Sequence, residues 1–358
     1  MKQPPFLPKE IDNLPTILDI VERISEMENK LILPEVSKVP SSPYYDEGRY
    51  QFVSDDNNRN IVHLMPTSQS PFIFYRGQSQ YYTPCLPSLF RRNANGIPPT
   101  EEDIAANRIK ICEFYLLLNT HPVFMEVCGN TNVNIVTTAQ HYGLPTEYLD
   151  ITNSKWVAAF FATTGYDYDS DTYFPVGRNY AEGFGVMYIL NDLNKRNWQF
   201  FHKNSVIGYQ YFARPSKQSS FGYKLGIDED FDKCPFFDKL FFRHDLESSK
   251  IVFDMSYRQN RFIPKDTLSE LARKIGKSTE VTRLAITYCL DIFYKGKEPA
   301  FLDKVCKNKN WKIREDNKPI VEFSKNVLQS DWDNWVSYGR EDLQSRILPI
   351  IPVAAFKS

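Results

Sequence analysis

Residues 139–152 read Ala-Gln-His-Tyr-Gly-Leu-Pro-Thr-Glu-Tyr-Leu-Asp-Ile-Thr. Two changes of local structure are written into this run. A short helix over 133–142 meets Gly143, which suits a left-handed C-terminal cap, and Pro145 forbids its continuation. The alternation Leu149-Asp150-Ile151-Thr152 then predicts a strand, with Asp150 and Thr152 on one face and Leu149 and Ile151 on the other. About sixty residues earlier, Phe72-Ile73-Phe74-Tyr75-Arg76-Gly77-Gln78 predicts a strand over 71–77 that delivers Arg76 to a terminating glycine. Arginine there offers a permanent charge and a planar donor fork suited to phosphate or carboxylate.

Working outward, Thr100-Glu101-Glu102-Asp103 has the pattern of a capped helix start, and Ile104, Ile111, Tyr115 and Leu118 extend it over 101–118. An amphipathic helix is expected over 9–30, with Pro15 in its first turn, and another from Asn153 or Ser154 through Gly165. Strands are expected near 61–64, at 185–190 and at 251–255. Helices follow from a Thr267 cap through Ile275 and over 279–294. Periods of 2 and 3.6 switch irregularly, without regular βαβ spacing. The expected class is therefore α+β: a mixed, largely antiparallel sheet with flanking helices over 1–262, then a mainly helical C-terminal segment over 263–358.

The bulk properties exclude several classes. Of 358 residues, 42% are hydrophobic and 24% charged, the balance of a soluble globular protein. A net charge of −1 provides no global field for nucleic acid, and the basic stretch Lys304, Lys307, Lys309, Lys312, Arg314, Lys318 is interrupted by Glu315 and Asp316. Six scattered cysteines and five histidines form no zinc-ligand spacing, so no metal is expected. No apolar run approaches membrane-spanning length, and a cytoplasmic location with reduced thiols is expected. Phosphate-loop, dinucleotide-fingerprint and nucleophile-elbow signatures are absent.

The residues of the two runs carry distinct chemistry. His141, in a last helical turn, suits a cation or donor, or else a cap for the turn. Asp150, in an apolar setting, needs a partner, and Arg76 is the natural candidate; the pair is either part of a site or a brace between two strands. Gln140 and Gln78 both donate and accept, as reading an amide, a ribose or a base edge requires. Thr146 presents a hydroxyl outward or caps the turn.

Tyr75-Arg76-Gly77-Gln78, Ala139-Gln140-His141-Tyr142-Gly143-Leu144-Pro145-Thr146 and Leu149-Asp150-Ile151-Thr152 resemble the FRG domain family, named for a Phe/Tyr-Arg-Gly element. Arg214-Pro215, Gln218 and Phe221 resemble a looser late element of it, so the resemblance covers roughly 10 to 260. Glu147 departs from the arginine usual in the family. The order of residues is also similar to that of mono-ADP-ribosyltransferases, although no Glu-x-Glu or Gln-x-Glu occurs near 214–221. That likeness implies NAD as substrate, cradled by Arg76, Gly77, Gln78, Gln140, Thr146 and Thr152, with His141, Asp150 and Gln218 in catalytic places.

The leading expectation is thus an ADP-ribosyl transfer enzyme or NAD glycohydrolase, of the kind that serves as an intracellular toxin or phage-defence effector. Its acceptor, protein or nucleic acid, is unknown; an inhibitory partner fits such an activity, and a membrane does not. The alternative is a non-catalytic module that binds a nucleotide or phosphorylated ligand through Arg76. A nuclease-like effector using His141 and Asp150 is a third reading, weakened by the lack of paired metal-binding carboxylates.

Overall fold

The computed structural model describes residues 8–31, 50–54, 62–66, 73–167, 170, 172–190, 204–209 and 211–347. Among these, the largest sheet has strands β1 (Tyr75–Gln78), β2 (Tyr148–Thr152), β3 (Phe184–Leu190), β4 (Asn204–Val206), β5 (Ser220–Lys224) and β6 (Phe237–Arg243). The helices that matter for the site are α1 (Ile17–Leu31), α2 (Glu101–Leu118), α3 (Ile135–His141), α4 (Lys155–Thr163), α5 (Leu246–Met255), α6 (Thr267–Lys277) and α7 (Arg283–Phe293). The strands lie in the order β6-β3-β1-β2-β5-β4, with every neighbouring pair antiparallel. This is the expected α+β class.

Strand alternation sorts the core into two layers. Tyr75, Met187, Ile189 and Phe242 face α1 and α4, which bring Ile17, Ile20, Ile24, Val157, Ala158 and Phe160. Phe74, Leu149, Ile151, Val186, Tyr188, Phe221 and Tyr223 face the other way, where Cys85, Leu225 and Phe231 cover them. Each layer buries large side chains worth about 1.5–3 kcal/mol apiece in transfer free energy.

One joint in the sheet is weak. β1 pairs with β3 from Tyr75 to Gln78 and β2 pairs with β5 from Tyr148 to Thr152, but β1 and β2 meet at the single pair Tyr75↔Thr152. The sheet is therefore two three-stranded halves, β6-β3-β1 and β2-β5-β4, joined at one end of a seam.

Several expectations are corrected. Gly77 does not end its strand, because β1 runs on to Gln78. Residues 251–255 are the last turns of a helix, not a strand: Asp245 accepts hydrogen bonds from the Ser248 backbone at 2.8 Å and hydroxyl at 2.6 Å, and so nucleates α5 upstream of the Ile251-Val252-Phe253 run. The single helix expected over 9–30 is split: a short helix, Pro8–Ile11, ends before Pro15, and α1 begins after Thr16, which bonds reciprocally with Asp19. Ser154 caps α4, which stops at Thr163, and Thr164–Asp167 continues as a strand. Asp266, not Thr267, caps α6, and Glu280–Thr282 is a strand ahead of α7. The helix over 101–118 and its capping box, Thr100 with Asp103, match expectation; the Lys309 ammonium, and then that box, lower the Asp103 carboxyl pKa to about 2.

Beyond residue 263 the described chain is mainly helical and packs on α2 and α3. Leu268, Leu271, Ala272 and Ile275 of α6 join Ile111, Phe114, Tyr142 and Leu144 in one cluster. Lys110, in α2, donates to the carbonyls of Ser278 at 2.6 Å and Glu280 at 3.3 Å, and burial pushes its ammonium down to about 8. Within the basic stretch, Lys309, Lys312 and Arg314 pair with Asp103, Glu280 and Asp316. Among the described residues no helix is long and apolar enough to cross a membrane.

Candidate functional site

A cleft of about 390 Å³ opens along the seam. Arg76, Gly77 and Gln78 line one side, and Asp150, Ile151 and Thr152 the other, with Gln218 and Ser220 beyond them. The rings of Tyr82, Phe161, Tyr166, Tyr173 and Tyr180 complete the wall, and Arg91 joins from the segment after β1. Its size is that of a cleft able to take a small organic molecule, with rings and a few polar groups in the lining.

Register decides what Arg76 can reach. The pairing Tyr75↔Thr152 puts Asp150 and Thr152 on the helix-covered face with Tyr75 and Gly77, while Arg76 alternates to the opposite face. The expected Arg76–Asp150 carboxylate pair therefore does not form. Arg76 Nη1 instead crosses the seam and donates to the Asp150 backbone carbonyl at 2.6 Å. Its Nε is buried without a hydrogen-bond partner, and its Cζ lies 6.0 Å from the Phe231 ring centroid. Arginine at this point bridges the two half-sheets and keeps donor capacity in reserve.

The Asp150 carboxylate turns to His141. Its Oδ1 lies 3.4 Å from His141 Nε2, within ion-pair reach but off the line of a hydrogen bond. On the other side of the ring, Nδ1 stands 2.9 Å from Gln218 Oε1. Gln218 Nε2 donates to the Phe262 carbonyl at 3.1 Å, which fixes the amide so that Oε1 must accept; Nδ1 therefore carries a proton. His141 is nearly sealed, with 1% of its side chain exposed against 37% for Asp150. Arg76, Asp150 and Gln218 thus line the cleft, and His141 sits behind them, bonded to Gln218 and 3.4 Å from Asp150.

The remaining residues of the motifs are used differently. Gly77 lines the cleft, but a Cβ there would overlap the Ala158 carbonyl, so glycine lets α4 lie directly on β1. Gln78 donates to Cys85 Sγ at 3.1 Å, while its own Oε1 is buried without a partner. The Thr152 hydroxyl donates to the Gln218 carbonyl at 2.7 Å and accepts from Ser154 N at 3.0 Å, which braces β2 to the Gln218 turn. Gln140 and Thr146 lie outside the cleft lining. Thr146 Oγ1 donates to Gln140 Oε1 at 2.6 Å, and both are tied to Ser88. Gly143 has φ +81, as a left-handed cap requires. Glu147 is buried, 3.9 Å from Arg108 and 3.8 Å from Lys224, and does not line the cleft.

Sequence reasoning missed Arg91 and the tyrosines 166, 173 and 180. Arg91 stands out in sequence only through the adjacent Arg92; the tyrosines reach the cleft by long-range packing. Among the described residues no three His, Cys, Asp or Glu side chains are placed to hold a metal.

The chain is of the α+β class, with a cleft in a divided antiparallel sheet. Residues 72–171 match the family model described as the FRG domain, so the chain carries an FRG domain over that span. The match takes in Arg76, Arg91, His141 and Asp150 and ends before Gln218. No curated protein and no solved structure matches the chain.

Proposed function

We propose that the cleft binds NAD and cleaves its nicotinamide–ribose bond, passing ADP-ribose to water or to an acceptor. The observation that carries this reading is that Asp150 is the one carboxylate among the described lining residues, opposite Arg76 across the seam. In this reading the C1′–N bond breaks, its electron pair leaves with nicotinamide, and positive charge develops on the ribose. The half-exposed Asp150 carboxylate stabilises that charge and then accepts the proton of the attacking hydroxyl. His141, bonded to Gln218, stands 3.4 Å behind the carboxylate. Arg76 has a fork suited to an anionic oxygen of the dinucleotide, and the tyrosine wall suits its rings.

The test is incubation of the full chain with NAD, reading nicotinamide release and label transfer to a cell extract. Asp150→Asn keeps size and removes charge, and it should lower turnover on the order of a hundredfold or more with an unchanged melting midpoint. Arg76→Lys keeps charge and loses the fork, which should weaken NAD binding roughly ten- to a hundredfold. NAD binding that depends on Arg76, without nicotinamide release, would favour the second reading, a non-catalytic nucleotide-binding module; the half-buried guanidinium with its unpartnered Nε supports that one.

A further inference from the structure

Gln140 and Thr146 belong to the most recognisable motif of the chain and yet stay out of the cleft. Their contacts explain why. The short turn Ser88–Phe90 is fastened to them: Leu89 N donates to the Thr146 carbonyl at 3.1 Å, Thr146 N to Ser88 Oγ at 3.2 Å, and Ser88 Oγ to Gln140 Oε1 at 3.4 Å. Leu89 and Phe90 are buried, which seats the turn from below. The next residue is Arg91, and it lines the cleft.

Arg91 is exposed, and its Nε donates to the Leu86 carbonyl at 3.2 Å, which orients the side chain at its root. Among the described residues its terminal nitrogens have no hydrogen-bond partner, and no carboxylate lies within ion-pair distance. Arg76, which lines the same cleft, has a carbonyl as its partner and likewise no ion-paired carboxylate. Two guanidinium groups, neither ion-paired, share one small cleft with the single carboxylate of Asp150, so one positive charge is left over and an entering anion lowers their mutual repulsion. Each planar fork matches the oxygens of one phosphate group.

We propose that Arg91 is a ligand-holding residue, and that Arg76 and Arg91 together select a diphosphate ester, with the Gln140–Thr146–Ser88 cluster serving to position Arg91. The identity of the ester as NAD rests on the function proposed above; the diphosphate site itself does not. Arg92 is the internal control, because its Nη1 donates to the Gly96 carbonyl at 2.9 Å and it does not line the cleft.

The experiment is calorimetric titration of the full chain with ADP-ribose and with inorganic pyrophosphate at fixed ionic strength, for wild type, Arg91→Gln and Arg92→Gln. Wild type should bind both, Arg91→Gln should bind ADP-ribose roughly ten- to a hundredfold more weakly, and Arg92→Gln should stay within about twofold of wild type. Wild-type affinity in Arg91→Gln overturns the proposal. So does an equal loss in Arg92→Gln, which would mark a diffuse charge effect, and so does failure of wild type to bind either probe. Arg91-dependent binding in a protein that never releases nicotinamide would sustain the diphosphate site while removing glycosidic cleavage.

Discussion

Within the matched span, Ser88, Gln140 and Thr146 form one group and Arg76, Gln78 and His141 another, all polar side chains in or beside β1 and β2. In the first group the Thr146 hydroxyl and the Gln140 amide oxygen find protein partners within 2.6–3.4 Å. In the second, Arg76 Nε, Gln78 Oε1 and His141 Nε2 are buried without one. A buried polar atom left unmatched costs about 1–3 kcal/mol, a cost the fold bears at these three atoms and also outside the cleft, at Glu147 Oε2. A single sequence motif therefore contains residues that line the cleft and residues that brace the frame around it, and the lining with the hydrogen-bond partners tells them apart.

That division can be tested by substitution. The largest effect is expected at Gly77, where Gly77→Ala sets a methyl group against the Ala158 backbone and should cost about 3 kcal/mol in chemical denaturation. A midpoint close to wild type would move Gly77 from framework to site. Thr146→Val retains shape and removes the hydroxyl that serves Gln140 Oε1 and Tyr148 N. It should destabilise by about 2 kcal/mol and also weaken ADP-ribose binding, through Arg91. Lost stability with intact binding would uncouple the Ser88 turn from the cleft. The smallest change is Gly143→Ala, where φ of +81 meets open space, so only backbone strain remains: about 1 kcal/mol, with ligand binding unaltered. Altered binding in that variant would place the α3 cap inside the site.

Local chemistry was readable in the sequence; relations across the chain were not. The Thr100–Asp103 box, the Gly143 cap and the β2 alternation depend on neighbours a few residues apart, and each appears where expected. The run Ile251-Val252-Phe253 misled because β-branched and aromatic residues favour strands, whereas a cap six residues upstream, at Asp245, had already set a helix. Strands β5 and β6 went unseen; in β6 the alternation of buried and exposed positions is incomplete. For the site, Arg76, Asp150 and Gln218 were identified as residues, but not the relation between Arg76 and Asp150. That relation depends on register, and one residue of slip reverses every face. Arg91 depends on contacts spanning 52 and 58 residues, Ser88 to Gln140 and Thr146, for which no local pattern exists.

The seam at Tyr75↔Thr152 also bears on how such a protein diversifies. The near wall of the cleft and β2 are encoded within 72–171, whereas β4, β5, Gln218 and Ser220 of the far half come from beyond that span. With one residue pair joining the halves, changes in 204–224 are buffered from β1, β3 and β6. The part of the cleft that Gln218 and Ser220 form therefore lies outside the span by which the domain is recognised, and a match to that span alone leaves the shape of the far wall open.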